Sequence, residues 1–144
     1  MGYMLDTSLF NKLLDGVFPI DRLPRDASYC ITHIQRDELN ATPEKPRRFE
    51  LIALLENMKP ASVMTESGVA GLSIVGEFRT SEAITYEAVL AEMNRLKPKK
   101  NHRSDALIAE TALLSGHILI SADRTLCTAM EHLGGKVIQI PNHA

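Results

Sequence analysis

The sequence predicts a single α/β domain in which helices flank a central, mainly parallel β-sheet. Short apolar runs alternate along the chain with longer segments whose apolar residues recur at helical spacing, which is typical of parallel strands joined by helices. The chain has 144 residues, close to the commonest length of one domain, and 44% of them are hydrophobic, which suffices for one core. No repeat or linker interrupts the pattern, so we expect one domain over residues 1–144.

The first part of the chain contains two strand-to-helix units. A buried strand is expected at Tyr3–Leu5, followed by a helix that stops at Gly16. A second strand is expected at Tyr29–Ile31, and Thr32 with Gln35 three residues later predicts a capping box at the start of the next helix. Such units are the building blocks of a parallel sheet.

A third helix and a less regular segment come next. Pro46 in a first turn predicts a helix that ends before Pro60, with apolar residues on its buried side. Those residues are Phe49, Ile52, Leu55 and Met58. Glycines interrupt the region from Ala61 to Thr80, where a hairpin and a flexible flap both remain open.

The second half of the chain predicts a central helix between two strands. After a helix from Glu82 to Leu96, Ser104 is expected to cap a helix over Asp105–Ser115. That helix is apolar on nearly every side, so it should lie in the middle of the molecule. Strands are expected at His117–Ile120 and Lys136–Ile140, with one short helix between them.

Four acidic residues stand where ligands bind in open parallel sheets, beyond the carboxyl ends of the strands. Asp6 follows the first strand, Asp123 follows the strand at His117–Ile120, and Asp105 begins the central helix. Glu38 lies on the helix that leaves the second strand. Four carboxylates in one cleft would repel one another without a cation, and hard oxygen ligands suit Mg²⁺ or Mn²⁺. The sequence therefore predicts a metal site that includes all four acids.

Such a site would hydrolyse phosphodiester bonds without a nucleophilic side chain, because divalent ions activate water and stabilise the leaving oxygen. Thr7, Ser8 and Ser121 flank the acids and are expected to orient a carboxylate or a water molecule through their hydroxyls. The basic loop Lys97–Arg103 precedes Asp105, so it is a candidate for phosphate contact. Its candidate residues are Lys99, Lys100 and Arg103, with Arg103 preferred because a guanidinium grips phosphate with two hydrogen bonds.

Composition excludes several classes of protein. The formal charge of −2, with 5% aromatic residues and no Trp, argues against a generic nucleic-acid coat protein and against base stacking. Cys30 and Cys127 lack metal-ligand spacing and are expected to be buried free thiols. The sequence has neither a signal-peptide pattern nor an apolar run that would span a bilayer, so we expect a cytoplasmic protein with no membrane contact.

These motifs together resemble the PIN-domain ribonucleases, in particular the virulence-associated toxins of bacterial toxin–antitoxin pairs. The resembling segments span essentially the whole chain: Met4–Ser8, Ile31–His33 with Glu38-Leu39, Arg103–Ala109, and Ile118–Asp123. The resemblance implies a three-layer PIN-like fold and a Mg²⁺- or Mn²⁺-dependent endoribonuclease that cuts RNA. It also implies a homodimer and a cognate antitoxin protein that inserts a segment into the active-site groove.

Two positions depart from the family pattern. The family usually has Asn where Ser8 stands, which changes how the first acid or a water molecule would be oriented. Glu110 occupies a place usually filled by a small residue, and it is open whether it supports the site or forms a salt bridge.

Each acid also has a structural explanation when it is considered alone. Asp6 fits a helix cap, Glu38 a solvated helix position, Asp105 a charge that complements the helix dipole, and Asp123 a turn residue. Only their joint placement favours a site. Three alternative functions remain: a structure-specific DNA nuclease, an inactive PIN-like RNA-binding module, and a phosphoacceptor signalling domain, although the last would need paired acids beside Asp6.

Overall fold

The computed structural model describes residues 2–65, 80–98 and 100–142, with side chains described for the same residues except 80–84. The strands are β1 (Gly2–Leu5), β2 (Ser28–Ile31), β3 (Ala61–Ser62), β4 (Ile118–Ser121) and β5 (Val137–Gln139). They form one five-stranded sheet in the order β3-β2-β1-β4-β5, and every pairing is parallel. The predicted α/β class and parallel sheet are confirmed.

Helices cover both faces of this sheet. They are α1 (Thr7–Leu14), α2 (His33–Asn40), α3 (Lys45–Met58), α4 (Thr80–Leu96), α5 (Arg103–Ser115) and α6 (Arg124–His132), with a 3₁₀ turn at Ile20–Arg22. No helix in the described ranges is both long and apolar enough to cross a membrane.

Two cores, one on each face of the sheet, make the fold three-layered. Successive side chains of a strand point to opposite faces, so Met4 joins the core under α4, α5 and α6, and Leu5 joins the core under α1 and α3. Leu119 and Ile120 divide between the two cores in the same way. The central strands are therefore buried on both faces, which explains their unbroken apolar sequence.

The start of α2 matches its predicted capping box. The Thr32 hydroxyl accepts a hydrogen bond from the Ile34 amide (3.1 Å), while the Gln35 side chain accepts one from the Thr32 amide (2.9 Å). Gln35 also donates to the carbonyl of Leu5 (2.9 Å), at the end of β1. The cap therefore fixes α2 against the strand that precedes Asp6.

The predicted cap of α5 is wrong. The helix begins at Arg103, because the carbonyl of His102 already accepts the amide of Ala106 (2.8 Å), and Ser104 therefore lies inside the first turn. The side chain of Asn101 accepts the amide of Arg103 instead (3.1 Å). As predicted, α5 is central, with every residue from Ala106 to Ala112 buried.

Two other expectations need correction or fall outside the described residues. Phe49 was expected on the buried side of α3, but it is 60% exposed, since the buried face is set by Leu51 and Leu55. Most of the region predicted as a hairpin or flap, residues 66–79, lies outside the described residues. Its first two residues, Ala61 and Ser62, form β3 beside β2.

Candidate active site

The register of the central strands brings Asp6 beside Ser121. Leu5 on β1 pairs with Ile120 on β4, and the amide of Asp6 donates to the carbonyl of Ile120 (3.0 Å). Asp6 and Ser121, the next residues along the two strands, therefore lie side by side at the carboxyl edge of the sheet. Asp6 is only 4% exposed, so its charge depends on nearby polar groups.

Two serine hydroxyls hold the Asp6 carboxylate. Ser8 and Ser121 both donate to Oδ2 of Asp6, at 2.7 and 2.6 Å. Each hydroxyl oxygen accepts a backbone amide in turn, that of Ala122 for Ser8 and that of Asp123 for Ser121, both at 2.9 Å. Each hydroxyl has one proton, and both protons are directed at the same carboxylate oxygen. The two predicted supporting serines are thus in contact with the first acid.

Capping explains Asp123 but not Asp6. Asp6 occupies the residue before α1, yet its side chain makes no capping hydrogen bond. Asp123 occupies the residue before α6, and its Oδ1 accepts the amide of Leu126 (3.2 Å). Asp123 therefore has a structural role in addition to its place at the sheet edge.

Glu38 and Asp105 approach from the flanking helices. The hydroxyl of Thr7 donates to Oε1 of Glu38 (2.7 Å), which joins α1 to α2 at the rim of the cleft. Glu38 is exposed, whereas Asp105, in the first turn of α5, is half-buried. Thr7, the third predicted supporting residue, thus contacts an acid directly.

All four predicted acids line one cavity of about 290 Å³, which we call the acidic cavity. Its lining residues are Asp6, Thr7, Ser8, Glu38, Lys100, Asn101, Ser104, Asp105 and Asp123. Within the described ranges, no three His, Cys, Asp or Glu side chains lie close enough together to ligate one ion in their present positions. The structure thus brings the acids to one cavity without presenting a closed ligand cage.

Burial and mutual repulsion perturb these carboxyls. Burial, followed by the charges of Asp6, Asp123 and Glu38, raises the pKa of Asp105 from 3.8 to about 7, while Lys100 opposes the rise. Burial also raises the pKa of Asp6, against the lowering effect of the hydrogen bonds from Ser121 and Ser8.

Glu38 is exposed as a whole residue, but neighbouring atoms at the rim of the cleft partly desolvate its carboxyl, which raises its pKa; the charge of Asp6 adds to the rise and the Thr7 hydrogen bond opposes it. A divalent cation in the cavity would reduce the mutual repulsion of these carboxyls and favour their charged forms. In charge and in donor chemistry the four residues fit a hard divalent ion.

The predicted phosphate-binding residues have different positions. Lys100 lines the acidic cavity, and Lys99 lies outside the described residues. Arg103 is exposed at the start of α5 and does not line this cavity; its charge instead lowers the pKa of Tyr86, which burial raises. Glu110 is fully buried on α5 and is also not among the lining residues.

Sequence reasoning missed two residues that shape the site. Asn101 and Ser104 line the acidic cavity, and their position directly before Asp105 was the available signal. The sequence also predicted no role for His102. This residue is 2% exposed, and its Nε2 lies 2.7 Å from the carbonyl of Lys97. That contact joins the last part of the basic loop to Lys97, its first residue.

The two cysteines are buried and free, as predicted. Burial raises the pKa of Cys30 to about 11 and that of Cys127 to about 12, and the charges of Asp6 and Asp123 add to the second rise. Both thiols therefore stay protonated and unreactive near neutral pH.

The similarity of this chain to known proteins lies in its structure. No protein-family model and no curated protein sequence matches it significantly. A chain of VapBC-1 from nontypeable Haemophilus influenzae is similar, with a TM-score of 0.61, 16% identity, and coverage of 96% of this chain and 98% of that one.

Two further structures agree with this result. A chain of VapBC2 from Rickettsia felis, solved bound to a DNA fragment from its promoter, has a TM-score of 0.62 and 13% identity over 97% of this chain and 99% of that one. VapBC-5 from Mycobacterium tuberculosis, a member of the VapBC family of toxin–antitoxin systems, has a TM-score of 0.59 and 17% identity over 97% and 98%. The resemblance inferred from the motifs is thus confirmed for the fold, and the chain has the PIN-like fold of chains in VapBC toxin–antitoxin structures.

Proposed function

We propose that the protein is a Mg²⁺- or Mn²⁺-dependent endoribonuclease and the toxin of a toxin–antitoxin pair, acting in the cytoplasm. One observation carries the proposal: Asp6, Glu38, Asp105 and Asp123 come from four separate segments and line one cavity at the carboxyl edge of the sheet. Stability alone gives no reason to gather four repelling carboxylates in one place.

The four acids are the residues that would hold the ion, after their side chains move closer together than they lie in this structure. When bound, a divalent ion acidifies water and neutralises charge on the phosphoryl group. The chain's own residues supply the orientation, because Ser8 and Ser121 hold Oδ2 of Asp6 and Thr7 holds Oε1 of Glu38. The hydrogen bonds from Ser8 and Ser121 also favour the charged form of Asp6 and so oppose the rise in its pKa that burial causes.

The reaction that suits this cleft is hydrolysis by water. Water attacks phosphorus and gives up one proton to solvent, the bond between phosphorus and the leaving sugar oxygen breaks, and that oxygen takes up a proton from solvent. Lys100 supports phosphate entry, since it lines the cavity among four acids and its charge lowers the pKa of Asp105. RNA as the substrate rests on the resemblance of the motifs and on this single lysine in the cleft.

The partners belong to the same proposal. The similar structures come from VapBC assemblies, which supports a cognate antitoxin protein for this chain. A homodimer is part of the proposal because the motifs resemble a family that often dimerises. An antitoxin encoded immediately upstream should co-purify with this protein on co-expression. Light scattering of this protein purified without the antitoxin should give twice the mass of one chain.

The deciding experiment is cleavage of a mixed RNA pool by purified protein. We expect cutting with Mg²⁺ or Mn²⁺, none in EDTA, and a loss of about 100-fold or more in Asp6→Asn and in Asp105→Asn. Glu56→Gln is the matched control, because it removes one exposed carboxylate on α3, outside the cavity.

Other outcomes would point to other functions. A folded wild type that leaves RNA intact but cuts structured DNA with the same variant pattern would be a structure-specific DNA nuclease. Protein that binds RNA and cuts neither nucleic acid would be an inactive binding module.

A further inference from the structure

A second cavity, of about 480 Å³, adjoins the acidic one. The two share Ser8, Lys100 and Asp123, so they form one continuous depression. The other residues that line the second cavity are Asn11, Lys12, Lys97, Ala122, Arg124, Thr125 and Asn142. We call it the basic cavity.

Positive charge dominates this cavity. Of the lining residues in the described ranges, four carry positive charge and one carries a carboxylate, Asp123. The four cations are Lys12, Lys97, Lys100 and Arg124. None of these four cations forms a salt bridge within the part of the chain that the structure describes. Their convergence from α1, the loop after α4, and α6 therefore creates an anion-binding surface rather than an internal ion-pair network.

The start of α6 adds to that surface. Arg124 and Thr125 are the first two residues of the nine-residue helix, so their amides have no acceptor within it. The Asp123 side chain caps the amide of Leu126 and leaves these two to other partners. Amides without an acceptor inside the helix, together with the positive end of the helix dipole, favour an anion at this wall.

We infer that the basic cavity binds the phosphodiester backbone of the RNA substrate on one side of the scissile phosphate. The inference rests on the proposed function, because the shared residues Ser8, Lys100 and Asp123 join it to the acidic cavity. Among the residues that the structure describes, no aromatic side chain lines the basic cavity, so we assign contact to phosphate and sugar rather than to stacked bases. Binding there holds the strand in place without reading its sequence.

The test is a triple variant, Lys12→Ala, Lys97→Ala and Arg124→Ala, in an Asp105→Asn background with Mg²⁺, so that RNA binding is measured without cleavage. Affinity for a short single-stranded RNA should fall about 10-fold or more, and the slope of log affinity against log salt should fall by about 2, or roughly 0.7 for each lost phosphate contact. The matched control is Lys136→Ala, an exposed lysine before β5 that lines neither cavity.

The same changes are then made in the wild-type background and assayed for cleavage. If the wild type cuts RNA and the triple variant binds and cuts like Lys136→Ala, the inference is overturned and the nuclease stands. If the triple variant loses RNA binding but the wild type never cuts, the nuclease is overturned and the backbone site stands. If no form binds RNA, both are overturned.

Discussion

At the residue scale, the hydroxyls of Ser8 and Ser121 supply hydrogen bonds to the buried carboxylate of Asp6. Asp6 is 4% exposed, and an ion in such a place loses much of its hydration. Ser8 and Ser121 replace that hydration with two short hydrogen bonds to one oxygen. Ser8, which stands where the PIN-domain family that the motifs resemble usually has Asn, thus has a defined contact with Asp6.

Ser121→Ala should weaken both the fold and the site. It removes one of the two hydroxyl donors to Asp6, leaving only Ser8, and it removes the acceptor of the part-buried Asp123 amide. We expect a loss of about 1–3 kcal/mol in the free energy of unfolding and a loss of about 10-fold or more in RNA cleavage. Denaturant unfolding and single-turnover cleavage would measure these. Ser115→Ala, at an exposed position, should change neither, and an unaltered Ser121→Ala would contradict the assigned role.

Asp105→Asn should stabilise the protein in EDTA at high pH. Because the folded-state pKa is raised from 3.8 to about 7, the folded protein binds more protons than the unfolded chain between these values. Wild-type stability therefore falls as pH rises from about 4 to 7 and stays low above that. At pH 8 the melting temperature of Asp105→Asn should exceed that of the wild type by about 5 °C, and at pH 4 the two melting temperatures should be equal. A difference that does not depend on pH would contradict the assignment.

At the element scale, local signals predicted α2 well and the start of α5 poorly. The capping box of α2 is encoded within four residues, Thr32 to Gln35, so the sequence alone identifies it. The start of α5 depends instead on His102, whose ring is held by the carbonyl of Lys97. A buried histidine that closes a loop has no short-range sequence pattern. The two exposed residues of β3 likewise offer no apolar pattern, since they join the sheet through backbone pairing.

Thr32→Ala should reduce stability because it removes the capping box at the start of α2. The expected cost is about 1 kcal/mol in the free energy of unfolding. Cleavage should also fall, because α2 carries Glu38 and is fixed to β1 through Gln35. Thr32→Ser keeps the hydroxyl and should retain most of both properties. If Thr32→Ser were as damaged as Thr32→Ala, the lost methyl group rather than the cap would be responsible.

At the scale of the whole molecule, the acidic site was predictable and the basic cavity was not. The rule that ligands bind at the carboxyl ends of parallel strands selects acids such as Asp6 and Asp123 from the sequence. Lys12, Lys97 and Arg124 obey no such rule, because they come from three different elements and meet only in the folded chain. Phe49 was assigned to the wrong face because the apolar residues of α3 allow more than one helical phase.

Mn²⁺ should raise the melting temperature of the wild type. An ion that binds only the folded state contributes about 2.7 kcal/mol at a concentration 100 times its Kd. For a chain of this size the rise should be about 5–10 °C. Asp6→Asn should lose most of it, and Glu56→Gln, the exposed control, should keep it. Equal stabilisation of all three proteins would place the ion outside the acidic cavity.

The contact between Asp6 and Ser121 also sets the time at which the site can form. These residues are 115 positions apart in the sequence, and Asp123 follows later still. During translation, β1 leaves the ribosome long before β4. Until β4 pairs with it, Asp6 has Ser8 as a hydroxyl donor but lacks Ser121, and Asp123 is also missing from the site. On the proposed function, a nascent chain therefore cannot cut the message that encodes it before Ser121 and Asp123 have been translated and folded against β1.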